Sequence, residues 1–350
     1  MKKTLLTICL VWMCFSLSAQ KIIDLSGKWS FSIDRQDNGE KEKWFSHTLN
    51  DFINLPGSMP EKLKGDEVTA KTQWTGSLYD SSYYYNPYME KYRKEGNIKF
   101  PFFLTPDKHY VGAAWYQKEV NIPADWKGER ILLFLERPHI ETTVWVNGQK
   151  TGMQNSLCVP HQYDITRYVR PGKCTITIRV DNRIKEINVG PDSHSITDQT
   201  QGNWNGIVGR ICLQTTPKTY FDDIQIYPEP EQKLARVKVV IKGTGTAKVK
   251  LSAESFNTDK KHIVPAIQQE IKLNKGVTET EMVLPMGNDM LLWDEFHPAL
   301  YKLKAEVTNG KKTEIKEIQF GMRRFEIKGK WFYVNGRKTQ LRGTVENCDF

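Results

Sequence analysis

The sequence has no C-x-x-C pair, no glycine-rich phosphate loop, no serine nucleophile elbow and no histidines at metal-ligand spacing. Those absences argue against a structural zinc, a nucleotide cradle and a Ser/His/Asp hydrolase. No cofactor or metal is therefore expected. Long apolar runs are missing too. The longest, Leu5 to Leu17, falls short of the about 20 residues that cross a bilayer. Past residue 19 there is no helical periodicity, no internal repeat and no low-complexity tract. A clustered basic patch is also lacking. The net charge is +9, but Lys2 and Lys3 sit at the extreme N-terminus, and the rest is scattered, as in Lys238, Lys242, Lys248 and Lys250. A nucleic-acid footprint would gather on one element, so no nucleic-acid partner is expected.

What is present begins with a leader. Lys2-Lys3, the apolar run and the small pair Ser18-Ala19 before Gln20 have the order of a secretory signal. Cleavage is expected after Ala19, or after Ser18, giving an exported, periplasmic or extracellular protein with no membrane anchor. Cys9 and Cys14 leave with the leader. Cys158, Cys174, Cys212 and Cys348 remain, and export permits disulfides. A chain this size does not depend on them, so mostly buried thiols are expected.

Period-two alternation then dominates. Leu25, Trp29 and Phe31 share one face of an opening strand; Arg130 to Glu136 and Thr142 to Val146 form two more. Asn147-Gly148 and Asn335-Gly336 are the hairpin pair. Between Asp66 and Tyr92 the periodicity fails, in a stretch holding Trp74, Tyr79 and Tyr83-Tyr84-Tyr85. It reads as a surface insertion whose aromatics either stack on sugar rings or pack on a sheet. From Tyr220 to Gln319 six short alternating runs recur at even spacing, the pattern of an immunoglobulin-like sandwich.

The order of motifs resembles family 2 glycoside hydrolases, relatives of β-galactosidase, β-glucuronidase and β-mannosidase. The residues that carry the resemblance are L-x-G-x-W-x-F at Leu25 to Phe31, L-P-G-S at 55 to 58 and G-x-A-W-Y-x-K from Gly112. They continue with V-N-G at 146 to 148, D-I-T at 164 to 166, G-I-V-G-R from Gly206, and L-Y-K-L at 300 to 303. Phe325, Gly329, Phe332, Asn335, Gly336, Leu341, Arg342 and Gly343 match the segment by which that family enters its (β/α)8 barrel. The resemblance implies an all-β chain. Residues 1–19 would be the signal peptide, 20–217 a sugar-binding jelly-roll β-sandwich and 218–320 an immunoglobulin-like β-sandwich. Residues 321–350 would be a hairpin and the first strand of a truncated (β/α)8 barrel. A barrel needs roughly 250 residues of its own, so its remainder is expected in the same or an adjacent reading frame.

The family's two catalytic glutamates, the acid/base and nucleophile of a retaining mechanism, would lie past Phe350. No catalytic residue is assigned. In β-galactosidase-like relatives two jelly-roll loops reach the sugar, which implies Asn97, ahead of Phe100-Pro101, and Asp192, ahead of Asp198-Gln199, as hydroxyl-binding residues. Both types are also ordinary turn formers. Trp204 either stacks on a sugar or packs in the core. Asn347 stands where β-galactosidases carry a sugar-contacting His, which leaves a β-glucuronidase, a β-mannosidase or a plant-cell-wall glycosidase open. The expected partner is an oligosaccharide or polysaccharide. A stand-alone carbohydrate-binding protein and an adhesion protein built of sandwiches are the alternatives.

Overall fold

The computed structural model describes residues 21–76, 81–100, 104–185, 197–198 and 202–344. Chain contacts divide it into two compact units, which meet in sequence at Thr216 and Pro217. Asp192, Tyr79, Asn347, Cys348 and the leader lie outside the described residues.

The first unit is a two-sheet sandwich. One sheet runs in the order β1 (Ile22–Asp24), β10 (Gly206–Thr216), β5 (Arg130–His139), β8 (His161–Asp164). The other has six strands: β7 (Gln149–Asn155), β6 (Glu141–Val146), β9 (Gly172–Asp181), β4 (Ala113–Ile122), β2 (Gly27–Asp34), β3 (Asp51–Leu55). Alternation delivers Ile131, Leu133 and Leu135 from β5 and Cys174, Ile176, Ile178 and Val180 from β9 into one shared core with Trp29 and Phe31.

The opposite face of the six-stranded sheet is not solvated. The connection between β2 and β3 folds over it, so that Trp44, Phe45 and Leu49 cover Trp115 and Trp145. Beside them Arg179, Asp181 and Glu141 are buried in a charged cluster. Arg179 Nη2 lies 2.6 Å from Asp37 Oδ1 and 3.0 Å from Asp181 Oδ2. Lys185 Nζ reaches Asp181 and Glu141, each at 2.8 Å. Burial raises the Asp181 pKa, but hydrogen bonds from Arg183 and Lys185 outweigh it and hold the carboxyl well below the usual range.

The strand ends come together through backbone contact. Gly206 (φ +147) pairs with Ser58, and a Cβ there would meet the Gly57 carbonyl oxygen at 2.6 Å. No other residue fits that crossing. The stretch Asp66 to Tyr92, expected to be a surface insertion, forms a small core of its own together with Ile98 and Phe100. Tyr83 and Phe100 stack at 4.6 Å within it, and Val68, Met89 and Tyr92 pack around them. Tyr85 and Tyr88 remain exposed. It also carries a four-residue α-helix, Ser82–Tyr85, too short to leave the periodicity by which a helix is read.

The second unit is a sandwich in which a single sheet forms both layers: β11 (Tyr220–Glu229), β12 (Leu234–Phe256), β14 (Leu300–Asn309), β15 (Lys312–Phe320), with β13 (Ile263–Pro285) along β12. The short runs expected between 237 and 284 are halves of two 23-residue strands. The register shifts at Gly243/Gly245 and Leu251/Ala253 place the extra residue on β13. On β12 the glycine- and threonine-rich stretch 243–246 interrupts the apolar residues and made the strand read as two. Val237, Val239 and Ile241 before the first shift, and Val249, Leu251 and Ala253 after it, enter one core with Tyr301 and Leu303.

A three-stranded hairpin sheet closes this unit: Phe325–Lys328, Trp331–Val334 and Arg337–Thr339. Asn335 and Gly336 have φ of 49° and 78°, the pair of left-handed residues a type I′ turn requires. Asn335 also acts as a hook. Its Nδ2 donates to the Trp293 carbonyl and its Oδ1 accepts from Arg324 N, both at 2.9 Å. Of the run 339–344, expected to be a barrel strand, only Thr339 lies in a strand, paired back onto the hairpin. A parallel barrel strand has no ladder until neighbours flank it.

Removing Arg179 would leave Asp181 and Glu141 buried with fewer cations. Arg179→Met is expected to lower the unfolding free energy by about 3–5 kcal/mol, read from urea denaturation at neutral pH. A loss under 1 kcal/mol, the range of surface pairs, would contradict this account of the cluster.

Candidate functional site

One end of the first unit opens into a cleft of about 760 Å³. Three stretches form it: the 58–60 turn, the 96–107 segment and the 202–204 segment beside Asp198. Among its polar lining are Asn97, Lys99, Asp107, Asp198 and Asn203, with Trp204 as the aromatic surface. A site of this size with one aromatic face and several convergent polar groups suits a small polar ligand such as a sugar.

A ladder of buried amides holds the floor. Asn182 Oδ1 accepts from Gly112 N at 2.8 Å, while its Nδ2 donates to the Tyr110 carbonyl at 2.9 Å and to Asn203 Oδ1 at 3.0 Å. Asn203 Nδ2 donates to the Asn182 carbonyl and to Thr75 Oγ1. Asn205 Nδ2 spans the carbonyls of Gly112 and Val180, and its Oδ1 accepts from Tyr116 Oη at 2.7 Å. These asparagines are at most 4 % exposed. They supply to the loops the hydrogen bonds that a strand ladder supplies elsewhere.

Asp198 completes the floor. Its Oδ1 accepts from Asn203 N and its Oδ2 from Thr75 N, each at 2.6 Å, and its own N–H donates to the Thr75 carbonyl. It thereby clasps the 66–100 segment to the 198–205 segment. Trp204 is half-buried and lies flat on the His139 ring, with centroids 4.5 Å apart at 22°. His139 Nδ1 sits 2.6 Å from the Trp204 carbonyl. A carbonyl only accepts, so Nδ1 carries the proton. Burial drives the His139 pKa down to about 4, against the pull of that carbonyl and of Asp198.

Of the two residues singled out from the sequence, Asn97 lines the cleft but is exposed, and its Nδ2 donates to the Lys91 carbonyl at 2.8 Å. Its Oδ1 can accept from a ligand. Asp192 lies outside the described residues. Two acidic residues, Asp107 and Asp198, line the cleft. Trp204 is both a cleft surface and a packed ring. His109, His139, Asn182 and Asn205 were not picked out beforehand. Their partners lie far off in sequence, so no local spacing marks them. Of the remaining cysteines, Cys158 is an exposed thiol, whereas Cys174 and Cys212 are buried thiols. Burial pushes Cys174 up to about 11, which makes it a poor nucleophile. No group of three or more metal-ligating side chains occurs among the described residues.

Comparison with known proteins places this geometry. The sequence model for "Glycosyl hydrolases family 2, sugar binding domain" matches residues 22–217, and that for "Glycosyl hydrolases family 2" matches 219–323. A β-glucuronidase of Paenibacillus borealis is 24 % identical over 94 % of this chain and 50 % of its own length. Human β-glucuronidase is 23 % identical over 93 % of this chain and 48 % of its own. The β-galactosidase large subunit of Latilactobacillus sakei is 24 % identical, covering 91 % and 49 %. Among solved structures, β-glucuronidase from Ruminococcus gnavus in complex with a C6-substituted uronic isofagomine superposes with a TM-score of 0.62 at 19 % identity. That match covers 93 % of this chain and 49 % of the other. The chain thus spans about half the length of the curated relatives it matches.

Two outcomes follow. Asn182→Leu leaves Gly112 N, the Tyr110 carbonyl and Asn203 Oδ1 without their partner; it should cost about 2–4 kcal/mol in denaturant unfolding, on the order of 1–3 kcal/mol for each buried group left unpaired. His139 is depressed from 6.5 to about 4, so the unfolded chain takes up a proton before the folded one does. Its contribution is fully present above pH 6.5 and is lost as pH falls toward 4, by about 3 kcal/mol. His139→Phe should flatten the stability–pH curve over that window relative to the parent. Parallel curves for the two proteins would show that His139 is not the group responsible.

Proposed function

The chain belongs to the family 2 glycosyl hydrolases, and from that premise we propose that it forms the sugar-recognising and linking domains of an exported retaining β-glycosidase. In this reading the jelly-roll sandwich contributes one wall of the sugar pocket. Asn97 and Asp198 accept hydroxyl hydrogens there, Lys99 offers a cation, and Trp204 gives an apolar face to the ring. Asp192 is retained as a hydroxyl-binding candidate on the resemblance alone. The acid/base and nucleophile glutamates would be supplied by a catalytic barrel beyond residue 350. The leader sequence supports export. The relatives named β-glucuronidase and β-galactosidase support an O-glycoside as substrate, with a plant-cell-wall oligosaccharide among the candidates.

The observation that carries the proposal is the cleft itself. Its floor is a preorganised set of acceptors fixed by buried amides, and acceptors are what a polyhydroxylated ring requires. Asp198 is clasped by two main-chain N–H groups. That arrangement fixes the direction in which its remaining lone pairs point. Because the lining falls wholly inside the first unit, the same observation favours carbohydrate binding without catalysis as the second reading.

Residues 20–350 are expected to release no chromophore from nitrophenyl β-glycosides, and measurable turnover would overturn the assignment of the chemistry to a barrel. In calorimetric titration with oligosaccharides, Asn97→Ala is expected to weaken binding by about threefold to tenfold, the effect of one neutral hydrogen bond of 0.5–1.5 kcal/mol. Sugar binding that ignores the substitution would place the ligand elsewhere.

A further inference from the structure

Beneath the cleft lies a buried histidine. His109 is 7 % exposed and sits on the two-residue bridge Lys108–His109, paired with Asp66–Glu67. Its ring lies 4.7 Å from that of Trp74. Its Nε2 is buried and has no hydrogen-bond partner. Nearly every buried polar atom in a folded protein is paired, so an exception calls for an explanation. The nearest acceptor is Asp198 Oδ2, at 3.5 Å. That is only a few tenths of an ångström beyond hydrogen-bonding range.

We infer that His109 is the positioning residue of the Asp198 carboxylate, a third donor held in reserve behind the cleft wall. The two donors already engaged, Thr75 N and Asn203 N, belong to the main chain and move only if their loops move. The imidazole alone can turn about its side-chain torsions. When a hydroxyl in the cleft donates to Asp198, the carboxylate is drawn toward the ligand, and its bonds to the fixed amides lengthen. Nε2–H then takes up the vacated lone pair and keeps the carboxylate oriented. Trp74, tilted against the ring at 58°, limits that rotation to a small arc. The inference deepens the reading of the cleft as a sugar site and rests on it for the ligand, though not for the pairing.

The test uses the full chain labelled with 15N at neutral pH, as the parent, His109→Phe, His109→Gln and Asp198→Asn, with D-glucuronic acid as the probe. Without ligand, the His109 Nε2 resonance should be that of a protonated nitrogen and should move in Asp198→Asn. An unprotonated Nε2, or one indifferent to that substitution, overturns the proposal whatever the cleft binds. With ligand, His109→Phe should raise Kd about tenfold and His109→Gln, which keeps a side-chain N–H, should recover most of the loss. Melting temperatures should stay close to the parent's. Equal Kd for the parent and His109→Phe overturns positioning. A parent that shows the Nε2–Asp198 coupling yet binds no D-glucuronic acid supports the pairing and counts against the sugar reading alone.

Discussion

The constraint on which the cleft depends is the need to satisfy main-chain groups where the strands stop. At the ends of β4, β9 and β10 the ladders run out, and Tyr110, Gly112, Val180 and Asn182 would face one another with unpaired N–H and C=O groups. Three carboxamides, each with two donors and a two-lone-pair acceptor, are placed so that every one of those groups finds a partner. In a low-dielectric interior such a network is either complete or costly. Its completeness is why loops at the rim of a sandwich can be as fixed as strands. Asp198 and Trp204 inherit that fixity, because the ladder passes directly through Asn203 and Asn205 on either side of Trp204.

A second consequence of burial appears on the far face of the six-stranded sheet. A sandwich ordinarily leaves the outer faces of its sheets to water. Here the β2–β3 connection closes over that face, so Arg179, Asp181 and Glu141 must be solvated by one another. Asp181 is stabilised in its charged form by Arg183, Lys185 and Arg179 rather than by solvent. The cluster stands at the C-terminal end of β9, immediately before the Asn182 rung. The charged and the neutral networks therefore anchor adjacent residues of one strand and share the same stretch of backbone.

What the sequence makes legible is whatever depends on neighbours along the chain. The Asn-Gly turns are read correctly because φ > 0 at two successive positions is a demand on those two residues alone. The strand with strict alternation from Cys174 to Val180 and the short apolar run from Ile131 to Leu135 are equally direct. The ordered motifs identify the all-β architecture of both sandwiches. What escapes is whatever depends on partners far away. The continuity of β12 through its 243–246 stretch is visible only once β13 lies alongside it. The core of the 66–100 segment needs Phe100 folded back onto Tyr83. Asp198 is an acidic residue in a polar stretch, and only the contact with Thr75, 123 positions distant, marks it as part of the wall.

That distance bears on what the wall can discriminate. A pocket that recognises a hydroxyl by fixed acceptors penalises an analogue lacking it strongly, because the acceptor is then left without a donor in a place water reaches poorly. The penalty exists only if the acceptor cannot relax toward some other partner. A carboxylate on a free loop would swing into solvent and lose nothing. Asp198 cannot, since leaving the wall would break the Thr75 and Asn203 contacts and unclasp the 66–100 segment with its own small core. Selectivity at this position is thus underwritten by the stability of the segment that Asp198 clasps, and the two are linked through a single side chain.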